Sequence, residues 1–131
     1  MDYTEKKLRR LNTYEGIIIN VGLDRVSLPD GSEAFREIVE HPGGACILPV
    51  DGEGNAYCVR QYRYPIGEHL LEAPAGKLDL SRGEAHPDEG EFLDLVKLPF
   101  SELLAMVKRG EISDGKTAIA ALQAEHILAG E

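Results

Sequence analysis

A chain of 131 residues is long enough for one domain with a single core but not for two. Apolar residues at 43% and charged residues at 28% are the composition of an ordinary globular protein, which excludes a disordered or membrane-embedded chain. The net charge of −9 excludes a broad nucleic-acid footprint, so any phosphate would have to be met by local arginines or a bridging divalent cation.

Residues 1–10 are too polar for a signal peptide and open the chain as a polar start. Tyr14 to Leu28 then reads as one strand, centred on Gly16-Ile17-Ile18-Ile19-Asn20-Val21. Pro29-Asp30-Gly31-Ser32 favours reversal, and the alternation of Ala34 to Glu40 completes an antiparallel hairpin. His41-Pro42-Gly43-Gly44 breaks the pattern. Ala45 to Val50 and Ala56 to Tyr62 are the next strands, joined by the turn Asp51 to Asn55, and Leu70-Leu71-Glu72 is a short extended piece. From Asp79 to Gly90 the chain is polar and irregular, and Phe92 to Leu98 alternates as a strand that Pro99 stops. Ser101 is placed to cap a helix over Glu102 to Arg109, with Leu103, Leu104 and Val107 on one face and Gly110 ending it. Ser113 or Asp114 caps a last helix from about Lys116 to Leu128, with Ile119, Leu122 and Ile127 inward.

Strands first and helices last imply an α+β fold. Two C-terminal helices cover one face of a mixed sheet, and nothing in residues 41–98 supplies a helix for the other. No stretch spans a bilayer, and Cys46 and Cys58 sit in strand-like apolar surroundings as buried free thiols, so the expected location is cytoplasmic. His41, His69, His86 and His126 lack metal-ligand spacing and read as structural.

Three segments in succession carry a resemblance: Arg36 to Gly43 leading into Ala45 to Pro49, Val59 to Gly67, and Leu71-Glu72-Ala73-Pro74-Ala75-Gly76-Lys77-Leu78-Asp79. Together they resemble the ADP-ribose pyrophosphatase branch of the Nudix family. His86 to Leu93 resembles that branch's acidic loop and strand, and Gly110 to Thr117 the link to its last helix. The implied fold is one Nudix-like domain over residues 1–131. It divides into a dimerisation hairpin at 14–40, a sheet core at 45–98 and two C-terminal helices at 101–129.

The catalytic helix of that family, the Nudix box, is missing. The box needs a glutamate six residues after Gly76, where this chain has Arg82, and no Arg-Glu-aliphatic-x-Glu-Glu run follows. In the family those glutamates share a helix face and hold the divalent metal that neutralises the pyrophosphate and helps ionise the attacking water. A helix, about three strands and their loops amount to about 40–45 residues, and the cut falls near Asp79. Two explanations stay open: a true deletion, or residues of the molecule that the 131-residue sequence omits.

The resemblance implies Mg²⁺-dependent hydrolysis of ADP-ribose or a related nucleoside diphosphate sugar by a homodimer, with no turnover by a chain that lacks the box. The alternative is a non-catalytic nucleotide-binding or structural module. Carried over by residue, Arg63 holds the diphosphate, Glu72 lies beside the site, and the backbone carbonyl of Ala75 binds metal. Glu89 and Glu91, with Asp88, match the acidic loop that supplies the general base, Glu91 being also a metal ligand. Arg36 matches a substrate contact on the second N-terminal strand, next to Glu37. Tyr14 and Phe35 could stack on adenine, although an aromatic on a strand more often packs.

Overall fold

The computed structural model describes residues 2–77 and 92–130. Two compact units divide the chain, residues 1–43 and 44–131. In the first, β1 (Lys6–Glu15), β2 (Asn20–Ser27) and β3 (Glu33–Glu40) form an antiparallel sheet in the order β1-β2-β3. The expected single strand over 14–28 is therefore wrong. Its apolar centre is a reversal, closed where the Gly16 N–H donates to the Ile19 carbonyl at 2.9 Å, and Ile17 is fully exposed. A Cβ on Gly16 would stand 2.6 Å from that oxygen, so the turn requires glycine.

The supposedly polar start is β1. Its register slips between Lys7 and Arg9 and again between Arg10 and Asn12, so bulges erase the two-residue alternation that marks a strand in sequence. What this sheet buries is ionic. Along β2 the buried residues alternate as Gly22, Asp24 and Val26. The Arg10 guanidinium donates to both oxygens of Asp24 (Nε at 2.6 Å, Nη2 at 3.0 Å) and to Glu40 (Nη1 at 2.6 Å), and Lys7 reaches Asp24 at 3.1 Å. Hydrogen bonds from Arg10, opposed by burial and helped by Lys7, hold the Asp24 carboxyl down at about 2. The guanidinium crosses directly over Gly22, where a Cβ would stand 2.5 Å from Nε and 2.8 Å from Nη1.

The second unit contains β4 (Gly44–Cys46), β5 (Asn55–Arg63), β6 (Glu68–Glu72), β7 (Ala75–Lys77), β8 (Leu93–Pro99), α1 (Phe100–Lys108) and α2 (Gly115–Leu128). A three-stranded sheet runs β6-β5-β8 and a two-stranded one pairs β4 with β7; every pairing among the described residues is antiparallel. The strand expected over 45–50 is shorter, because the chain leaves β4 after Cys46 and returns only as a single bridge from Val50 to Ala56. Asp51 closes the turn between them. Its carboxylate accepts from the Asn55 and Glu53 N–H groups, from the Tyr57 hydroxyl and from Lys97, and these bonds hold it well below the usual range.

Ala56, Cys58, Leu103 and Ala121 form the buried core, with Leu48, Val50, Leu71, Leu98, Phe100, Val107 and Ile112 packed around them. Both cysteines are free thiols, Cys58 buried and Cys46 half-buried. Alternation puts Val59 and Gln61 on the face away from this core, opposite Leu95 and Leu93, and Leu95 is 68% exposed. Pro99, not Ser101, occupies the N-cap of α1, which starts directly from β8 without a side-chain cap. Gly110 ends α1 in the left-handed region at φ 74°. Asp114 caps α2, accepting from the Thr117 N–H.

The inward face of α2 is the reverse of the expected one. Thr117 and Ala121 are buried, whereas Ile119, Leu122 and Ile127 are exposed. Small side chains let the helix approach the core closely, and the larger aliphatics turn outward. Among the described residues no helix is long and apolar enough to cross a membrane.

Stability contributed by Asp24 is fully present above pH about 4 and is lost as pH falls through about 2, because its folded value lies below its unfolded one. Amide exchange across β1 and β2 should therefore accelerate between pH 4 and 2. Gly22→Ala, which displaces Arg10, should produce the same loss at neutral pH, and an unaltered exchange pattern in that variant would count against the ionic account.

A candidate functional site at the end of β6

Antiparallel pairing sets Val59 opposite Glu72 and Arg63 opposite Glu68, so Arg63 and Glu72 share one face of the hairpin. The four-residue turn after Arg63 includes Pro65 and Gly67, the latter at φ 70°, and the Gly67 N–H donates back to the Arg63 carbonyl at 2.9 Å. That closure turns the guanidinium back along β6. Arg63 Nε donates to both oxygens of Glu72 at 3.0 Å, and Nη2 donates to Oε2. Glu72 is 4% exposed, while the Arg63 side chain keeps 39% of its surface. A buried carboxylate thus fixes a guanidinium that still reaches solvent, the arrangement suited to gripping a phosphate.

Immediately after Glu72, the buried Ala73 donates its N–H to Thr117 Oγ1 at 2.7 Å. That hydroxyl donates to Asp114 Oδ2 at 2.6 Å, and the Thr117 N–H donates to the same oxygen at 2.8 Å. Lys116 Nζ holds the other oxygen at 2.6 Å. Burial opposes ionisation of Asp114, but the bonds from Lys116 and Thr117 outweigh it and keep the carboxyl below its ordinary value. Pro74 accepts from the Ile47 N–H at 2.9 Å, and Ala75, exposed at the start of β7, pairs with Cys46.

The structure thus brings together Arg63 and Glu72 and sets Ala75 three residues further on. Arg36, on β3 of the first unit, is bound there by Glu5 at 2.9 and 2.5 Å, which raises its pKa. Tyr14 and Phe35 are exposed on that sheet, at 66% and 60%. His69 rests against Tyr62, with ring centroids 5.1 Å apart, and His41 accepts from the Gly43 N–H. Asp88, Glu89, Glu91 and His86 lie outside the described residues. Among the described residues no three His, Cys, Asp or Glu side chains gather to hold a metal. A single carbonyl at Ala75 beside a Glu72 already engaged by Arg63 does not make a divalent site by itself. Thr117 was not anticipated. The available signal was the Asp114-x-x-Thr117 spacing, a helix cap whose N3 residue carries a hydroxyl.

No family model matches the chain. An ADP-ribose pyrophosphatase of Bacillus subtilis is 39% identical over 75 residues, 57% of this chain and 40% of its own. A GDP-mannose pyrophosphatase of Yersinia pestis is 32% identical over 128 positions, 81% of this chain and 63% of its own. In sequence the chain is similar to these ADP-ribose and GDP-mannose pyrophosphatases. It covers about two fifths to two thirds of the length of these two pyrophosphatases. A solved ADP compounds hydrolase has the same fold, with a TM-score of 0.80 at 12% identity over 96% of this chain and 95% of its own. A methanol dehydrogenase activator of Bacillus methanolicus is 28% identical, covering 90% of this chain and 91% of its own. Ninety per cent of this chain takes part in that alignment of 168 positions, so about 50 of them face no residue of it. The size agrees with the gap inferred from the absent box.

Glu72→Gln keeps the shape of the buried side chain and removes the charge that Arg63 meets. Partial exposure of Arg63 lowers the ordinary worth of a charged hydrogen bond to about 1 kcal/mol. Calorimetric melting should fall by about 2–6 °C, and an unchanged midpoint would show that the pair contributes nothing.

Proposed function

We propose that the site takes a nucleoside diphosphate sugar of the ADP-ribose type, as the substrate of a pyrophosphatase that splits the diphosphate linkage. The observation that carries this reading is Arg63, half-exposed and held on a buried Glu72, both within the segments that carry the sequence resemblance. The guanidinium brings a fixed positive charge to the diphosphate in this reading. Glu89 or Glu91 accepts the proton in this reading. The carbonyl of Ala75 and the Glu91 carboxylate are the donors toward Mg²⁺, which when bound would neutralise phosphate charge and activate water.

A second reading, a nucleotide-binding module without turnover, is favoured by one specific observation. The box glutamates are absent from the sequence, and about 50 positions of one relative have no counterpart here. Both readings share the pocket and differ in product. Incubation with ADP-ribose and Mg²⁺, followed by chromatographic measurement of AMP, separates them. Release above a protein-free blank supports the hydrolase, and binding without release supports the module. Calorimetric affinity for ADP-ribose should fall about tenfold in Arg63→Ala, the loss of about 1.4 kcal/mol; equal affinity would refute the pocket. An intact mass about 5 kDa above 14.4 kDa would reveal residues beyond the 131.

The proposed assembly is a homodimer through the N-terminal sheet, supported by Tyr14, Phe35 and Val39 standing exposed there. Sedimentation should give a dimer that Val39→Asp converts to monomer, and a monomeric unsubstituted protein would sink the assembly.

A further inference from the structure

We propose that Thr117 is the positioning residue that sets Arg63 for its ligand, acting through Ala73 and Glu72. The inference rests on the proposed reading of the pocket. Val59–Glu72 is the last paired position at this end of β6, so Ala73 leaves the ladder with its N–H facing the interior. Ala73 is 1% exposed, and a buried N–H needs an acceptor. Thr117 Oγ1 supplies it at 2.7 Å.

The hydroxyl has no freedom to turn elsewhere. Its proton goes to Asp114 Oδ2, which also takes the Thr117 N–H, while Lys116 anchors the other carboxylate oxygen. Thr117 is itself fully buried. The first turn of α2 therefore fixes the peptide between Glu72 and Ala73. That peptide fixes the buried carboxylate, and the carboxylate holds the Arg63 guanidinium by Nε and Nη2. A helix far along the chain from the hairpin thereby sets the direction of the binding cation.

Thr117→Val keeps the volume and removes both hydrogen bonds of the hydroxyl; Thr117→Ser keeps them. ADP-ribose affinity should drop about tenfold in the valine variant and return to within about twofold in the serine variant. The Arg63 Nε–H resonance, read by NMR without ligand, should move in valine and stay in serine. An unmoved resonance in Thr117→Val overturns the proposal, as does serine behaving like valine. If the unsubstituted protein fails to bind ADP-ribose, the pocket reading falls while the Nε–H resonance still decides the positioning. Should the valine variant not fold, hydrogen exchange at Ala73 in the unsubstituted protein decides. Protection matching the paired amides of β6 supports the bond to Thr117, and free exchange removes it.

Discussion

Glu72 sits at the end of β6 with almost no contact with water, and a carboxylate in that position has to be met by a cation and by hydrogen bonds. Arg63 meets it, and the demand propagates in both directions. Toward the hairpin, it requires the turn after Arg63 to close with Gly67 in the left-handed region, so that the guanidinium folds back over the strand. Toward the helices, it requires the backbone after Glu72 to be held still, which the Thr117 hydroxyl does from the first turn of α2. The register of β5 with β6 and the seat of α2 thus serve one buried charge.

The two units solve burial by different means. Residues 44–131 bury Ala56, Cys58, Leu103 and Ala121, a small apolar core that α1 closes with Leu103 and α2 with the short Ala121. The N-terminal sheet buries Asp24 between Arg10 and Lys7, with Val26 as its buried hydrophobe. An ionic interior tolerates loss of a partner poorly, because the remaining charge is stranded. It also leaves the sheet's large apolar groups, Tyr14, Phe35 and Val39, on the outside.

What the sequence revealed follows from which signals are local. Turns marked by Pro29 to Ser32 and by Gly110, the cap at Asp114, and the strands β5, β6 and β8 were all legible, since each depends on residues within a few positions. β1 was not, because bulges break its alternation and its strand-forming partners are charges on β2 and β3. The β-branched run Ile17 to Ile19 misled by propensity, where a close approach at Gly16 prevailed. α2 misled by composition: Ile119, Leu122 and Ile127 are the hydrophobic residues, but the contact with Ala73 selects the Thr117 and Ala121 face. In the site, Arg63 and Glu72 were each visible as family positions. Their pairing depends on the hairpin register, and Thr117 depends on a contact 44 residues away.

The absence of the box gives this pair its particular meaning. With no Nudix-box glutamate run in the 131 residues, the pair needs a physical reason of its own. The Arg63–Glu72 pair has such a reason, because removing Arg63 strands the buried Glu72 carboxylate. Burial therefore accounts for the pair under either reading of the site. Among the described residues no group of carboxylates is placed to hold a metal, so a hydrolytic reading has to draw its carboxylates from elsewhere. The exposed Leu93 and Leu95 lie on the sheet face away from α1 and α2. The described residues retain a guanidinium fixed at a strand end, and both readings of the site draw on that one cation.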